Sequence, residues 1–91
     1  MEEIKQGEGR FFIGDQTNPD AEIVFDQSRN TYTITHTVVS EKLKNQGVGS
    51  QLVKRVVELA RKEDKQIDPG CSFAQRKFEA NPSYQDGWKG K

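Results

Sequence analysis

Three features of this chain are of types that do chemistry: the run Leu43-Lys44-Asn45-Gln46-Gly47-Val48-Gly49-Ser50, the single cysteine Cys71 and the single histidine His36. The run is polar and glycine-rich. A turn of this kind at the start of a helix aims backbone N–H groups at one point, at the positive end of the helix dipole. It binds phosphate or another anion without needing a basic side chain. Gly47 and Gly49 have no Cβ to keep an anion away from the backbone, and Lys44 can add a charge from the rim. Cys71 supplies a thiol. Beside a helix N-terminus a thiol is favoured as thiolate, and it can act as proton donor or as nucleophile. The alternative is a small buried residue, which free cysteine often is. Histidine is the side-chain type that changes charge near neutral pH, so His36 is a candidate base or a partner for Cys71. It is a hydrogen-bonded structural residue if its strand face is core. Glu22 and Asp26 are carboxylates that nothing singles out.

Two common phosphate motifs do not fit. A Walker-type loop needs four residues between its glycines and then Lys-Ser/Thr, and that pattern is absent. The dinucleotide fingerprint needs a third glycine three residues after the second, where this chain has Leu52.

The elements that must hold these residues are legible as hydrophobic periods. Phe11, Phe12 and Ile13 lie between glycines and predict a strand over 10–14. Residues 21–26 alternate, with Ala21, Ile23 and Phe25 on one face. Residues 31–38 alternate again, with Tyr32, Ile34, His36 and Val38 on one face and threonines on the other. A period of two with β-branched residues predicts strands in an antiparallel meander, and a weaker strand is expected over 2–6. Ser40 is expected to cap a helical turn. From residue 50 to 62 the stripe Leu52, Val53, Val56, Val57, Leu59 and Ala60 predicts a helix on a sheet, capped by Ser50. A short strand is expected at Ile67, broken by Pro69-Gly70. A second helix is expected over 72–80, stopped by Asn81-Pro82. Tyr84 and Trp88 are expected to cover core or an interface. The order β-β-β, glycine turn, α, β, α is that of an α+β domain.

Ninety-one residues predict one domain over 1–91 that buries about 60–65% of its unfolded surface, a thin core. Formal net charge is zero, with no basic block, so no nucleic-acid footprint is expected. One cysteine and one histidine exclude an intramolecular disulfide and a Cys/His zinc cluster, and no metal site is expected. No signal peptide or membrane span is visible, so no membrane partner and a cytoplasmic setting are expected.

Lys44-Asn45-Gln46-Gly47-Val48-Gly49 resembles the pyrophosphate loop of the GNAT superfamily of N-acetyltransferases, Gln/Arg-x-x-Gly-x-Gly/Ala. Lys44 stands where that pattern has Gln or Arg. His36-Thr37-Val38-Val39, Leu43, Pro69-Gly70-Cys71-Ser72-Phe73 and Asn81-Pro82-Ser83-Tyr84 extend the likeness to the minimal, single-domain GNAT-like branch. The resemblance implies a mixed, mostly antiparallel sheet with a central helix after the pyrophosphate-binding turn and a C-terminal helix. It implies acetyl-CoA or coenzyme A as cofactor, held by Lys44, Asn45, Gln46, Gly47, Val48, Gly49 and Ser50, with the pantetheine arm pairing near Val38 and Val39. It implies acetyl transfer to an amine of a small molecule or peptide; the residues' own chemistry makes Cys71 and His36 the candidate catalytic residues for it. The tyrosine acid of many larger relatives is missing, since the last helix carries Phe73 and Phe78 instead. A non-catalytic CoA-binding module is the alternative. The thin core and exposed aromatic residues are compatible with a homodimer.

Overall fold

The alternating segments form one sheet, and the stripe of period 3.6 lies across it. The computed structural model describes residues 3–90. Within them the strands are β1 (Lys5–Gly7), β2 (Arg10–Gly14), β3 (Pro19–Gln27), β4 (Thr31–Val39) and β5 (Gln66–Pro69). The helices are α1 (Val48–Lys62) and α2 (Ser72–Ala80), with short 3-10 segments at Glu41–Leu43 and Pro82–Gly87. The strands lie in chain order; every neighbouring pair is antiparallel except β4 and β5, which run parallel on either side of the α1 crossover. This is the α+β order that the residues predict, with the mixed, mostly antiparallel sheet that the resemblance implies. Of the weak strand expected over 2–6, Glu2 lies outside the described residues, and pairing begins at Lys5.

The core forms where α1 and α2 meet the sheet. Ile23 and Phe25 of β3, Ile34 of β4, Leu52, Val53 and Val56 of α1, and Phe78 of α2 are all buried in it. Each such side chain contributes about 1.5–3 kcal/mol relative to exposure. The tail completes it: the Tyr84 ring lies 5.1 Å from that of Phe78, and Trp88 meets Phe78 edge-on at 5.5 Å. Lys89 N–H donates to the Ile67 carbonyl at 2.8 Å, so the tail also covers the outer edge of β5.

Two caps differ from expectation. Helix α1 begins at Val48, with Gly47 as N-cap at φ 75°, so Ser50 lies inside the first turn and caps nothing. Ser40 precedes the 3-10 turn without a side-chain capping bond, and its buried Oγ has no hydrogen-bond partner among the described residues.

The departure with most consequence is in β4. Val24 pairs with His36, but Phe25 pairs with Ile34. Thr35 is therefore an extra residue, a β-bulge, and the alternation of side chains changes phase across it. Its Oγ1 donates to the Val24 carbonyl at 3.3 Å. Tyr32 and Ile34 share a face, as the alternation predicts, and that face is core. Beyond the bulge, Thr37 and Val39 take the helix-facing side, opposite Ile23 and Ala21. His36 and Val38 turn to the other face, where Val38 is 60% exposed.

No helix among the described residues is long and apolar enough to cross a membrane. None of their His, Cys, Asp and Glu side chains cluster as a metal site.

Candidate functional site

The bulge and the end of β5 together open a cleft. β5 pairs with β4 only from Thr31 to Ile34, while β4 continues to Val39 against β3. Among the described residues, no strand lies beside the β5-facing edge of β4 beyond Ile34. Pro69 ends the pairing, and Gly70 passes so close that an added Cβ would sit 2.8 Å from the Ile34 carbonyl oxygen. The chain then turns away into α2.

The space left is a cavity of about 430 Å³. β4 contributes Thr37 and Val39, the turn contributes Leu43, Lys44, Asn45 and Gly47, the first turn of α1 contributes Val48, Gly49 and Ser50, and α2 contributes Phe73 and Lys77. The amides of Val48, Gly49 and Ser50 belong to a helical first turn, where N–H groups have no intrahelical acceptor. Gly47 supplies no capping side chain. These donors and the helix dipole make the turn end of the cavity fit for an anionic group.

The two glycines serve different purposes. Gly47 has a left-handed φ of 75°, and a Cβ there would meet nothing within 4 Å. Gly49 has helical backbone, but a Cβ there would lie 2.4 Å from Cζ of Phe73. Its missing side chain lets the Phe73 ring pack against α1 and wall the cavity.

Cys71 is the N-cap of α2. Its Sγ accepts from the Ala74 N–H at 3.5 Å and lies 3.6 Å from Thr37 Oγ1. The thiol is thus fixed at a helix N-terminus beside a residue that lines the cavity. His36 is not brought to it. It is exposed on the opposite face of the sheet, where its ring contacts Thr35 Oγ1 at 3.1 Å. The bulge is the physical reason, and the pairing of His36 with Cys71 that the sequence leaves open is absent from this structure.

Of the predicted cofactor residues, Val39, Lys44, Asn45, Gly47, Val48, Gly49 and Ser50 line the cavity. Val38 and Gln46 do not: the Val38 side chain projects from the far face, and Gln46 donates through its side chain to the Lys42 carbonyl at 3.1 Å. Lys44 is partly neutralised by Glu41, 3.0 Å away. Sequence reasoning missed Thr37, Phe73 and Lys77 as lining residues. The last two are four apart on α2, a spacing that puts them on one helix face, and that was the available signal. Phe78 is 1% exposed, so the helix position nearest in type to a tyrosine acid is committed to the core.

A comparison with curated protein sequences gives no match. Among solved structures, the chain is similar to a Staphylococcus aureus protein described as GCN5-like, with 47% identity, a TM-score of 0.82, and coverage of 98% of this chain and 89% of that one. It shares its fold with the ribosomal-protein-S18-alanine N-acetyltransferase of Escherichia coli (17% identity, TM-score 0.62), covering 82% of this chain and 53% of that one. It shares it also with a GNAT family acetyltransferase of Elizabethkingia anophelis (24% identity, TM-score 0.54), covering 78% of this chain and 49% of that one. These two are about twice as long as the portion this chain spans. Residues 10–87 match the sequence pattern described as GCN5-related N-acetyl-transferase, and with the glycine turn, the open edge of β4 and the sheet order already in view, the chain belongs to that family.

Proposed function

We propose that the protein binds acetyl-CoA in the cavity between β4, the glycine turn and α2, and transfers the acetyl group to an amine of a small molecule or peptide. The observation that carries this reading is a single continuous space. It has free helix-start amides at one end and an unpaired strand edge along its side, and Cys71 is bonded to a lining residue. The helix-start amides suit a pyrophosphate. The open edge of β4 suits an extended amide-bearing arm, by the backbone pairing that strand edges offer. The fold shared with the Elizabethkingia protein, whose structure holds acetyl-CoA, agrees with it. The cofactor supplies the activated acetyl group. As the amine nitrogen bonds to the acetyl carbon and the C–S bond breaks, Cys71 Sγ would give a proton to the departing thiolate and recover one from the amine nitrogen, and Thr37 Oγ1, 3.6 Å away, holds that sulfur in place.

One observation favours the second reading, a CoA-binding module without catalysis. Among the described residues, the cavity lining contains no carboxylate or imidazole, so the amine must reach the site already neutral or lose its proton to solvent. Titrating the ¹⁵N-labelled protein with CoA and acetyl-CoA tests both readings. Amide shifts are expected at Thr37–Val39, Gly47–Ser50 and Phe73, with β1 unmoved. The absence of shifts at millimolar ligand would sink both. Binding without turnover on a panel of amines would leave the module.

Gly47 offers a sharper check on where the phosphates lie. Gly47→Asn keeps a residue that tolerates left-handed backbone but projects a side chain into the open space. Gly47→Val adds strain of about 1–2 kcal/mol. Both variants are expected to weaken CoA binding, and only the valine variant to melt earlier. Wild-type affinity in Gly47→Asn would move the phosphates away from this turn.

A further inference from the structure

The C-terminal segment ties three elements together. Asn81 caps it, with Oδ1 accepting from the N–H and hydroxyl of Ser83 at 3.1 and 2.8 Å. Gln85 Nε2 donates to the Phe78 carbonyl at 3.0 Å, near the end of α2. The rings of Tyr84 and Trp88 close over Phe78, which is 1% exposed. Trp88 forms a parallel bridge with Ile67, and the Lys89 N–H bonds the Ile67 carbonyl, so the segment is fastened to β5 as well. Its polar link to α1 runs through Arg61. This residue lies in the last turn of α1. Its Nη2 donates to the Ser83 carbonyl and lies 3.3 Å from Asp86 Oδ1. Ser83 and Asp86 are three apart in a 3-10 turn, where such residues stand one above the other, so one guanidinium serves both.

Helix α2 is thereby held at both ends. At its start Cys71 Sγ lies 3.6 Å from Thr37 Oγ1 of β4, and the Phe73 ring packs on Gly49. At its finish Phe78 is gripped by the segment that Arg61 fastens. The nine residues of α2 make a rod about 13 Å long, so a shift at one end is carried to the other. Helix α1 is the frame for both ends: its first turn lines the cavity, and its last turn carries Arg61. Arg61 itself is not among the residues that line the cavity. Its pair with Asp86 is exposed, and such a pair stabilises little by itself. The bond to the Ser83 carbonyl instead fixes where the backbone of the segment lies. We propose that residues 82–89 form a strap that seats α2, and that Arg61, by clipping the strap to α1, is a positioning residue for the Cys71 sulfur and the Phe73 wall. The effect on rate rests on the acetyl-transfer reading above; the placement of Cys71 against Thr37 is measurable without any ligand.

Arg61→Gln and Arg61→Lys test it. Trp88 is the one tryptophan of the chain, so its fluorescence reports on the strap. In Arg61→Gln the Lys89 amide is expected to exchange about five- to tenfold faster, the worth of a charge-assisted bond at a half-exposed site. Trp88 emission is expected to move to longer wavelength. In the ligand-free ¹⁵N-labelled variant the amides of Thr37, Cys71 and Phe73 are expected to shift, although the substitution is at the far end of α1. On an amine that the wild type acetylates, kcat is expected to fall roughly three- to tenfold, within the ~10² that a 1 Å misplacement can cost. CoA affinity is expected to stay within about threefold of wild type, because the helix-start amides that suit its phosphates are untouched. Arg61→Lys keeps donors for both acceptors and is expected to restore most of each quantity. A response at Trp88 and Lys89 without shifts at Thr37, Cys71 and Phe73 would overturn the inference and leave the acetyl-CoA reading standing, because the strap would then only cover core. So would a lowered melting temperature with unchanged kcat. A wild type that acetylates no amine would remove the transfer reading, and the ligand-free shifts would still decide whether Arg61 seats Cys71.

Discussion

Cys71→Ala is expected to lower acetyl transfer by about 10²–10⁴-fold, the usual worth of a positioned proton donor, while CoA affinity stays near wild type. The same substitution removes the sulfur that accepts from the Ala74 N–H. Loss of a helix N-cap costs about 0.5–2 kcal/mol, so the variant should also melt earlier. A fall in activity alone would therefore be ambiguous, and Cys71→Ser separates the two effects. Serine is a strong N-cap and keeps a partner for Thr37 Oγ1, yet its hydroxyl is a far weaker acid than a thiol. The serine variant should recover stability and CoA binding and remain poor at transfer. Steady-state kinetics on an amine that the wild type acetylates, set beside thermal melts, reads both quantities. A serine variant as active as wild type would reduce Cys71 to a cap.

The second large effect is at Gly49. Its backbone is helical, so by propensity alone alanine should stabilise by about 0.8–1 kcal/mol. A Cβ there, however, would lie 2.4 Å from Phe73 Cζ and 3.0 Å from Cε2. The ring must shift, and the room available is the cavity. Gly49→Val is expected to cost about 1–3 kcal/mol through overpacking and to abolish CoA binding. The mechanism has its own signature in Gly49→Ala, made with and without Phe73→Ala. With the ring present the added methyl should destabilise; with the ring removed it should stabilise. Contacting residues couple by roughly 0.5–3 kcal/mol in such cycles, and denaturant melts of the four proteins measure it. Additive effects would mean that the glycine is required for some reason other than the ring.

Much of this arrangement is legible in the amino-acid sequence. The apolar run in residues 10–14 and the alternation in residues 21–26 and 31–38 predict strands, the stripe from Leu52 to Ala60 predicts α1, and the glycines before it predict an anion-binding helix start. The start of α1 is misread because Ser50 is a better capping residue than glycine, whereas the chain uses left-handed backbone at Gly47 instead. A second role of Gly49, making room for the Phe73 ring, goes unseen because close approach to a ligand and close approach to a ring demand the same residue type. Lys77 and Phe73 are overlooked because their importance arises only once α2 is laid beside α1. His36 is misplaced because a bulge has no residue signature: Thr35 is as good a strand residue as the threonines around it.

That bulge makes the cleft depend on a count of residues more than on their identity. Thr35 acts as a frame shift within β4. Upstream of it the strand writes its core with even positions, Tyr32 and Ile34; downstream it writes the cleft with odd ones, Thr37 and Val39. Deleting one residue between 34 and 37 would leave the composition of the strand almost intact. It would nevertheless exchange Thr37 and Val39 for their neighbours along the whole wall of the cleft and take the hydroxyl away from Cys71. Substitution at Thr35, which forfeits one hydrogen bond to the Val24 carbonyl, is therefore expected to disturb the cleft less than a change in the length of this strand.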